Sequence, residues 1–224
     1  MFARFDKMAK AFTRIGKDIA IAVKQAGPNP DNNPKLRMAI QNAKGVNMPK
    51  DRVESAIKRA SSKEEKDFQE VIYEGYAPHG VPVIVECATD NPTRTVANVR
   101  VHFSKNGGAM GNSGSVGFMF ERKGVFKFDP SKLNLDDLEL DLIDAGAEDI
   151  QKDEEEITIY TKFPDFGHFQ KFVESKKLDA KSSTLQYIPS TTKELSEAEL
   201  DEVLKCIEAI EEDDDVQNVY HNLA

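Results

Sequence analysis

Four histidines, two cysteines, a glycine-rich loop and two runs of carboxylates are the places where this 224-residue sequence could do chemistry. His79, His102, His168 and His221 form no His-Glu-x-x-His pair and no Cys/His cluster, so the spacing of metal ligands is missing. Cys87 and Cys206 lie far apart and outside any Cys-x-x-Cys pair, and they read as buried free thiols of a reducing compartment. A Cys87–His catalytic pair would have to form in space, and no motif points to one. The loop NGGAMGNSGSVG, residues 106–117, lacks the Gly-Lys-Ser/Thr ending of a P-loop and does not satisfy Gly-x-Gly-x-x-Gly. It also misses Gly-x-Ser-x-Gly, because position 115 is serine where the last glycine should stand. Two readings of it stay open, a flexible or tightly turned connection and a nest of backbone N–H groups for a phosphate. The runs DEEE (153–156) and EEDDD (211–215) lack calcium-loop spacing and read as solvated turns, or as docking surface for a basic partner. No catalytic residue, metal site or cofactor is expected.

Charge is the stronger signal. Residues 1–66 hold 15 Lys+Arg against 7 Asp+Glu, a balance of +8; residues 67–129 are at −1 and residues 130–224 at −16, which together give the net −9. A basic head that could meet a nucleic acid is joined to an acidic body that polyanions should avoid. No apolar run approaches the ~20 residues of a membrane span, and the N-terminus has no secretory apolar core. A cytosolic chain with no membrane contact is the simplest expectation.

The elements that must carry these charges follow from periodicity. Phe5, Met8, Phe12, Ile15, Ile19 and Ala22 recur at spacings of three and four, which predicts a first helix with one apolar stripe. Lys7, Lys10, Arg14 and Lys17 fall nearly opposite at ~100° per residue, a basic ridge. Gly27-Pro28 ends that helix. Asn33-Pro34 starts a second, with a side-chain cap and a proline in the first turn. Gly45 stops it, and after Asn47 and Pro49 a third begins, with Val53, Ala56, Ile57 and Ala60 as its buried stripe. That packing leaves Lys35, Arg37, Lys44, Lys50, Arg52, Lys58 and Arg59 facing outward. SSKEEKD (61–67) reads as a linker.

Beyond it the period changes to two. VIYEGYAPHG and VPVIVECAT predict strands joined at Pro78–Gly80, Asn91-Pro92 opens a helix, and VGFMFERKGVFKF resumes strand character with a turn at Lys123-Gly124. From GVFKF onward the order is β-α-β-β-α-β, the split plait of ferredoxin-like domains. Ser196 with Glu199 reads as a capping box for a further helix, and DDDVQNVYHN as a turn and a last strand.

MAKAFTRIGKDIAIAVK, NPKLRMAIQNAKGVNMPKDRVESAIKRA, YEGYAPHGVPVIVECATDNPTRTVANVR, NGGAMGNSGSVGFMFERKGVF and DDVQNVYHN together resemble the YebC/PmpR family of probable transcriptional regulators, to which mitochondrial translational activators also belong. The resemblance covers essentially the whole chain. It implies an α+β fold: an N-terminal three-helix domain (1–66), then two ferredoxin-like α/β plait domains, the third (129–195) inserted in the second (67–128 plus 196–224). Family members usually begin with a further basic leader containing tryptophan. This sequence starts at MFARFDKMAK without any tryptophan, so a longer form is expected to add cationic contacts.

What the resemblance implies for function is a non-enzymatic DNA-binding regulator that grips phosphates through the basic helices. The alternative is a ribosome-associated translation factor, its head on ribosomal RNA and its acidic domains against basic ribosomal proteins. Lys50, Arg52 and Arg59 are the expected groove-facing residues. Arg94, Arg100 and Lys105, from the NPTRTVANVR stretch, are expected to line a cleft between domains or to form salt bridges there.

Overall fold

The computed structural model describes residues 2–62 and 67–224, with side chains in the first helix described from Met8 onward. The side chains of Phe5 and Lys7, and most of the SSKEEKD stretch, lie outside the described residues. In chain order the elements are α1 (Phe2–Ala26), α2 (Pro34–Gly45), α3 (Lys50–Ala60), β1 (Gln69–Ala77), β2 (Val81–Thr89), α4 (Pro92–Lys105) and β3 (Ala109–Met110). Then follow β4 (Phe120–Phe128), α5 (Leu135–Asp144), β5 (Ala147–Lys152), β6 (Ile157–Lys162), α6 (Phe166–Ser175), β7 (Ala180–Pro189), α7 (Glu197–Glu211) and β8 (Val216–His221). They gather into two compact units, Met1–Glu65 with Arg122–Gln186, and Lys66–Glu121 with Tyr187–Ala224.

In the first unit, α2 and α3 pack on α1. Asn33 makes the joint. Its Oδ1 accepts from Leu36 N at 3.0 Å while its Nδ2 donates to Ala22 O and Gly27 O at 2.7 and 2.9 Å, so one buried side chain caps α2 and ties it to the end of α1. Leu36, Ala39, Ala43, Val53, Ala56 and Ala60 are buried with Ile15, Ile19 and Ala22 of α1. The same unit holds the sheet β5-β6-β4-β7, crossed by α5 and α6 in β-α-β-β-α-β order. Its core combines aliphatic residues with a cluster of phenylalanines, Phe126 lying between the tilted rings of Phe166 and Phe169 at centroid distances of 5.1 and 4.6 Å. The turn expected at Lys123-Gly124 does not form. β4 runs straight through, and Gly124 is there because a Cβ would stand 2.3 Å from Thr161 Oγ1 and 2.6 Å from the Phe166 ring.

The head is not held clear of the acidic plait. α2 lies along the sheet's edge strand β7: the Asn42 amide accepts from Ser183 N at 2.8 Å and donates to Ser183 O at 3.1 Å, and Gln41 Nε2 donates to Ala180 O at 3.2 Å. A side-chain amide thus stands in for a neighbouring strand, covering an edge that would otherwise invite pairing. Arg37 adds a forked ion pair, its Nε and Nη2 at 3.2 and 3.3 Å from the two carboxylate oxygens of Glu174.

In the second unit the sheet order is β3-β1-β2-β8. β1 and β2 form a long hairpin from Gln69↔Thr89 to Ala77↔Val81, and β8, near the end of the chain, returns to β2. α4 and α7 pack on this sheet over Val83, Val85, Val99, Phe103, Val203 and Ile210. α7 opens as expected, Ser196 N donating to the Glu199 carboxylate at 3.0 Å. Among the described residues, no helix is long and apolar enough to cross a membrane.

Candidate nucleic-acid interface

The cations of the head fall into three groups. Lys10, Lys35, Lys44, Lys50, Arg52, Lys58 and Arg59 are exposed, and Arg14 is partly so. Arg37 is committed to its own chain: besides Glu174, its Nη1 donates to Pro30 O at 2.8 Å and Asp31 O at 3.1 Å. It positions α2 and is not an outward contact. Lys17 is a second correction. It is only 9% exposed, because the later half of α1 is covered over more than the expected stripe, with Ala20, Ile21 and Val23 also buried while Asp18, Lys24 and Gln25 stay exposed. The run IAIAV at 19–23 carries the signal for this, since five consecutive apolar residues on a helix widen its buried face beyond a single stripe.

α3 carries the densest exposed set. Its N-terminus is acidic at Asp51 and its last turn basic at Lys58 and Arg59, each sign matched to the helix dipole. Arg52 sits over the Phe12 ring of α1, 5.5 Å from its centroid, which fixes the guanidinium stem while leaving the residue exposed. Lys50 is paired only loosely, 3.5 Å from Glu54 with both side chains in solvent, and such a pair contributes little. Lys44 stands just before the corner Val46–Pro49, where Asn47 takes φ 57° and Met48 N donates back to Ala43 O at 2.9 Å.

The glycine-rich loop resolves its two readings in an unexpected way. It is a nest, and its anion is the chain's own. The carboxylate of Glu74, on β1, accepts from Gly114 N, Val116 N and Gly117 N at 2.8, 2.7 and 2.7 Å. Burial alone would raise the Glu74 pKa; the three backbone donors outweigh it and hold the carboxyl below the ordinary glutamate range. Glu74, 40 residues from Gly114, has no local signal of this role.

EEDDD is likewise not wholly solvated. Asp215 is 5% exposed and accepts from Arg94 Nη2 at 2.6 Å, Thr95 Oγ1 at 2.8 Å and Thr89 Oγ1 at 3.2 Å. Arg94 also reaches Asp90 at 2.9 Å, so it fastens the start of α4 to the turn before β8. Arg100 and Lys105 are exposed on α4. Cys87 and Cys206 are buried free thiols, and burial pushes the Cys206 thiol up to about 11, which leaves it protonated and inert at neutral pH. Among the described residues, no three His, Cys, Asp or Glu side chains are grouped to hold a metal ion.

The architecture therefore defines a class: an α+β protein with a cationic helical head and two four-stranded sheets. The chain belongs to the TACO1/YebC family, whose N-terminal domain matches residues 1–63 and whose second and third domains match residues 68–223. It is 56% identical to a "Probable transcriptional regulatory protein" of Anaeromyxobacter dehalogenans (strain 2CP-C), with 100% of this chain and 95% of that protein covered. It is 55% identical to a protein of the same description from Cytophaga hutchinsonii, over 99% of this chain and 93% of that one. A solved structure, the conserved hypothetical protein Aq1575 of Aquifex aeolicus, superposes with TM-score 0.83 at 39% identity, covering 96% of this chain and 90% of its own.

Proposed function

We propose that this protein is a non-enzymatic regulator that binds DNA through phosphate contacts from its helical head. The observation that carries the reading is the exposed cationic set Lys44, Lys50, Arg52, Lys58 and Arg59, at the α2–α3 corner and along α3, joined by Lys10 of α1. The description of the bacterial relatives as probable transcriptional regulatory proteins supports it. Such side chains position a protein on a backbone without reading bases, so affinity should depend steeply on salt. With six phosphates engaged, the log–log slope of affinity against salt is expected to be roughly −5 on duplex DNA. Neutralising Lys44, Lys58 and Arg59 together to glutamine should bring it to about −2.5, with little change in stability because none of them is buried. A slope that stays at its original value would remove Lys44, Lys58 and Arg59 from the interface. Lys17 is unsuitable for such a test, since reversing a buried charge would disturb the fold itself.

A second reading is favoured by one observation. The head lies on the acidic plait within a single unit, and a bare polyanion would feel those carboxylates too. Ribosomal RNA flanked by basic proteins suits that mixture of charge better than naked duplex DNA. Equal affinity for promoter and random DNA, together with co-sedimentation with ribosomes at moderate salt, would select the translation reading. Promoter preference without ribosome association would select the regulator.

A further inference from the structure

The outer face of α5 combines two features that seldom occur together on a solvated helix. Leu140 and Ile143, three residues apart, are 78% and 51% exposed. On α5 itself their neighbours are all carboxylates: at ~100° per residue, Glu139, Asp136, Asp144, Asp137 and Asp141 share with the two apolar residues a contiguous arc of roughly 200°. The opposite side, through Leu138, Leu142 and Ala145, faces the plait core. α5 has no basic residue at all, and its last turn, where the helix dipole favours cations, ends on Asp144.

Beside this face, between α5 and α6, lies an open groove of ≈ 500 Å³, lined by Asp141 and Asp144 on the α5 side and by His168, Lys171, Phe172 and Lys176 on the α6 side. On the α6 side Lys176 already bonds Asp141 at 2.7 Å and lies 5.6 Å from the Phe172 ring centroid. The chain thus shows, with one of its own lysines, how a cation with an aliphatic stem settles at the margin of this surface.

We infer that the outer face of α5 docks a cationic amphipathic segment of a partner protein, apolar side chains on Leu140 and Ile143 and lysine or arginine on the surrounding carboxylates. The two exposed aliphatic residues mark the contact, and the all-acidic rim decides the sign of the occupant. A nucleic acid is excluded by that rim. Because His168, Lys171 and Lys176 line the α6 side of the groove, the contact is the outer face of α5 and not the groove itself. The assignment is independent of the head's phosphate contacts, which use other residues.

The test uses the full chain and a fluorescein-labelled amphipathic peptide of leucine and lysine at helical spacing, read by fluorescence anisotropy. Leu140→Ser with Ile143→Ser should weaken binding by at least ~10-fold, as loss of apolar anchors does in other interfaces. Asp136→Asn with Asp144→Asn should do the same, whereas Glu154→Gln with Glu155→Gln, which removes equal charge from a solvated turn, should change it by less than about twofold. Equal loss in both charge pairs, or no loss on removing Leu140 and Ile143, would reduce the effect to unspecific attraction and overturn the site. Concentration-dependent self-association in sedimentation velocity that Leu140→Ser abolishes would give the face to a second copy of this chain, and would also overturn it. Salt-dependent DNA affinity measured on the same variants should be unchanged, which keeps this result separate from the function of the head.

Discussion

Gly45→Ala should loosen the head from the plait, although alanine is the better helix residue. Gly45 is the last residue of α2 and needs no positive φ; what it needs is space, since a Cβ there would stand 1.8 Å from Lys181 O and 2.8 Å from Lys181 C. Those are backbone atoms of β7, which cannot swing aside as a side-chain tip can. Overpacking of this kind typically costs about 1–3 kcal/mol, and occasionally more. In a helix free of other contacts the same change would stabilise by about 1 kcal/mol, so the two situations differ in sign. Hydrogen exchange gives the direct readout. The Ser183 amide, bonded to Asn42 Oδ1, should lose protection in Gly45→Ala and again in Asn42→Ala, where the bond is removed without adding bulk. A raised melting temperature in Gly45→Ala with Ser183 protection intact would show that α2 does not lie on this strand in solution.

Removal of the Glu74 carboxylate is expected to have an effect of similar size in the other unit. Glu74→Ala leaves three backbone N–H groups without their acceptor, and a buried donor so orphaned costs about 1–3 kcal/mol. A loss of about 3 kcal/mol is expected from the group, together with loosening of residues 112–118. Glu74→Gln should fall between, because its amide oxygen can serve Val116 and Gly117 while its NH₂ must face the Gly114 donor. The pH dependence follows from the depressed carboxyl pKa. Its stabilisation is complete above the ordinary glutamate range and is lost as pH falls through the lower, folded-state value. Denaturant midpoints of the parent should therefore decline on the acid side more steeply than those of Glu74→Gln. Parallel declines would mean that other carboxylates carry the acid limb.

The nest also shows why the glycine-rich stretch was ambiguous as a string of letters. Glycines at 111, 114 and 117 announce backbone N–H groups that can converge, and Gly114 at φ 85° confirms the need for one of them. They say nothing about which anion completes the ring. Glu74 lies on the neighbouring β1, and only the hairpin that sets β1 in the sheet brings it under the loop. Asp215 is the same case: within EEDDD it looks like its solvated neighbours, and the return of β8 to β2 is what buries it against Arg94, Thr89 and Thr95.

Short-range energetics made much of this molecule readable from its residues in order. Apolar spacing marked α1, α2 and α3; Asn33, Asn91 and the Ser196–Glu199 pair marked helix starts; the switch to a period of two marked the hairpin; and charge segregation marked a basic head. Each depends on groups within about one helical turn or one strand pair of each other. The fate of individual cations was another matter. Lys17 and Lys10 share one helical ridge, yet one is buried and the other exposed; Arg37 meets Glu174 across 137 residues, and Asn42 meets Ser183 across 141. Periodicity sorts side chains into faces, but which face a distant strand will cover depends on long-range packing, where no fixed spacing operates. The cations of the head were therefore present in the residue types, and which of them stay exposed was decided by the packing of α2 and the later half of α1.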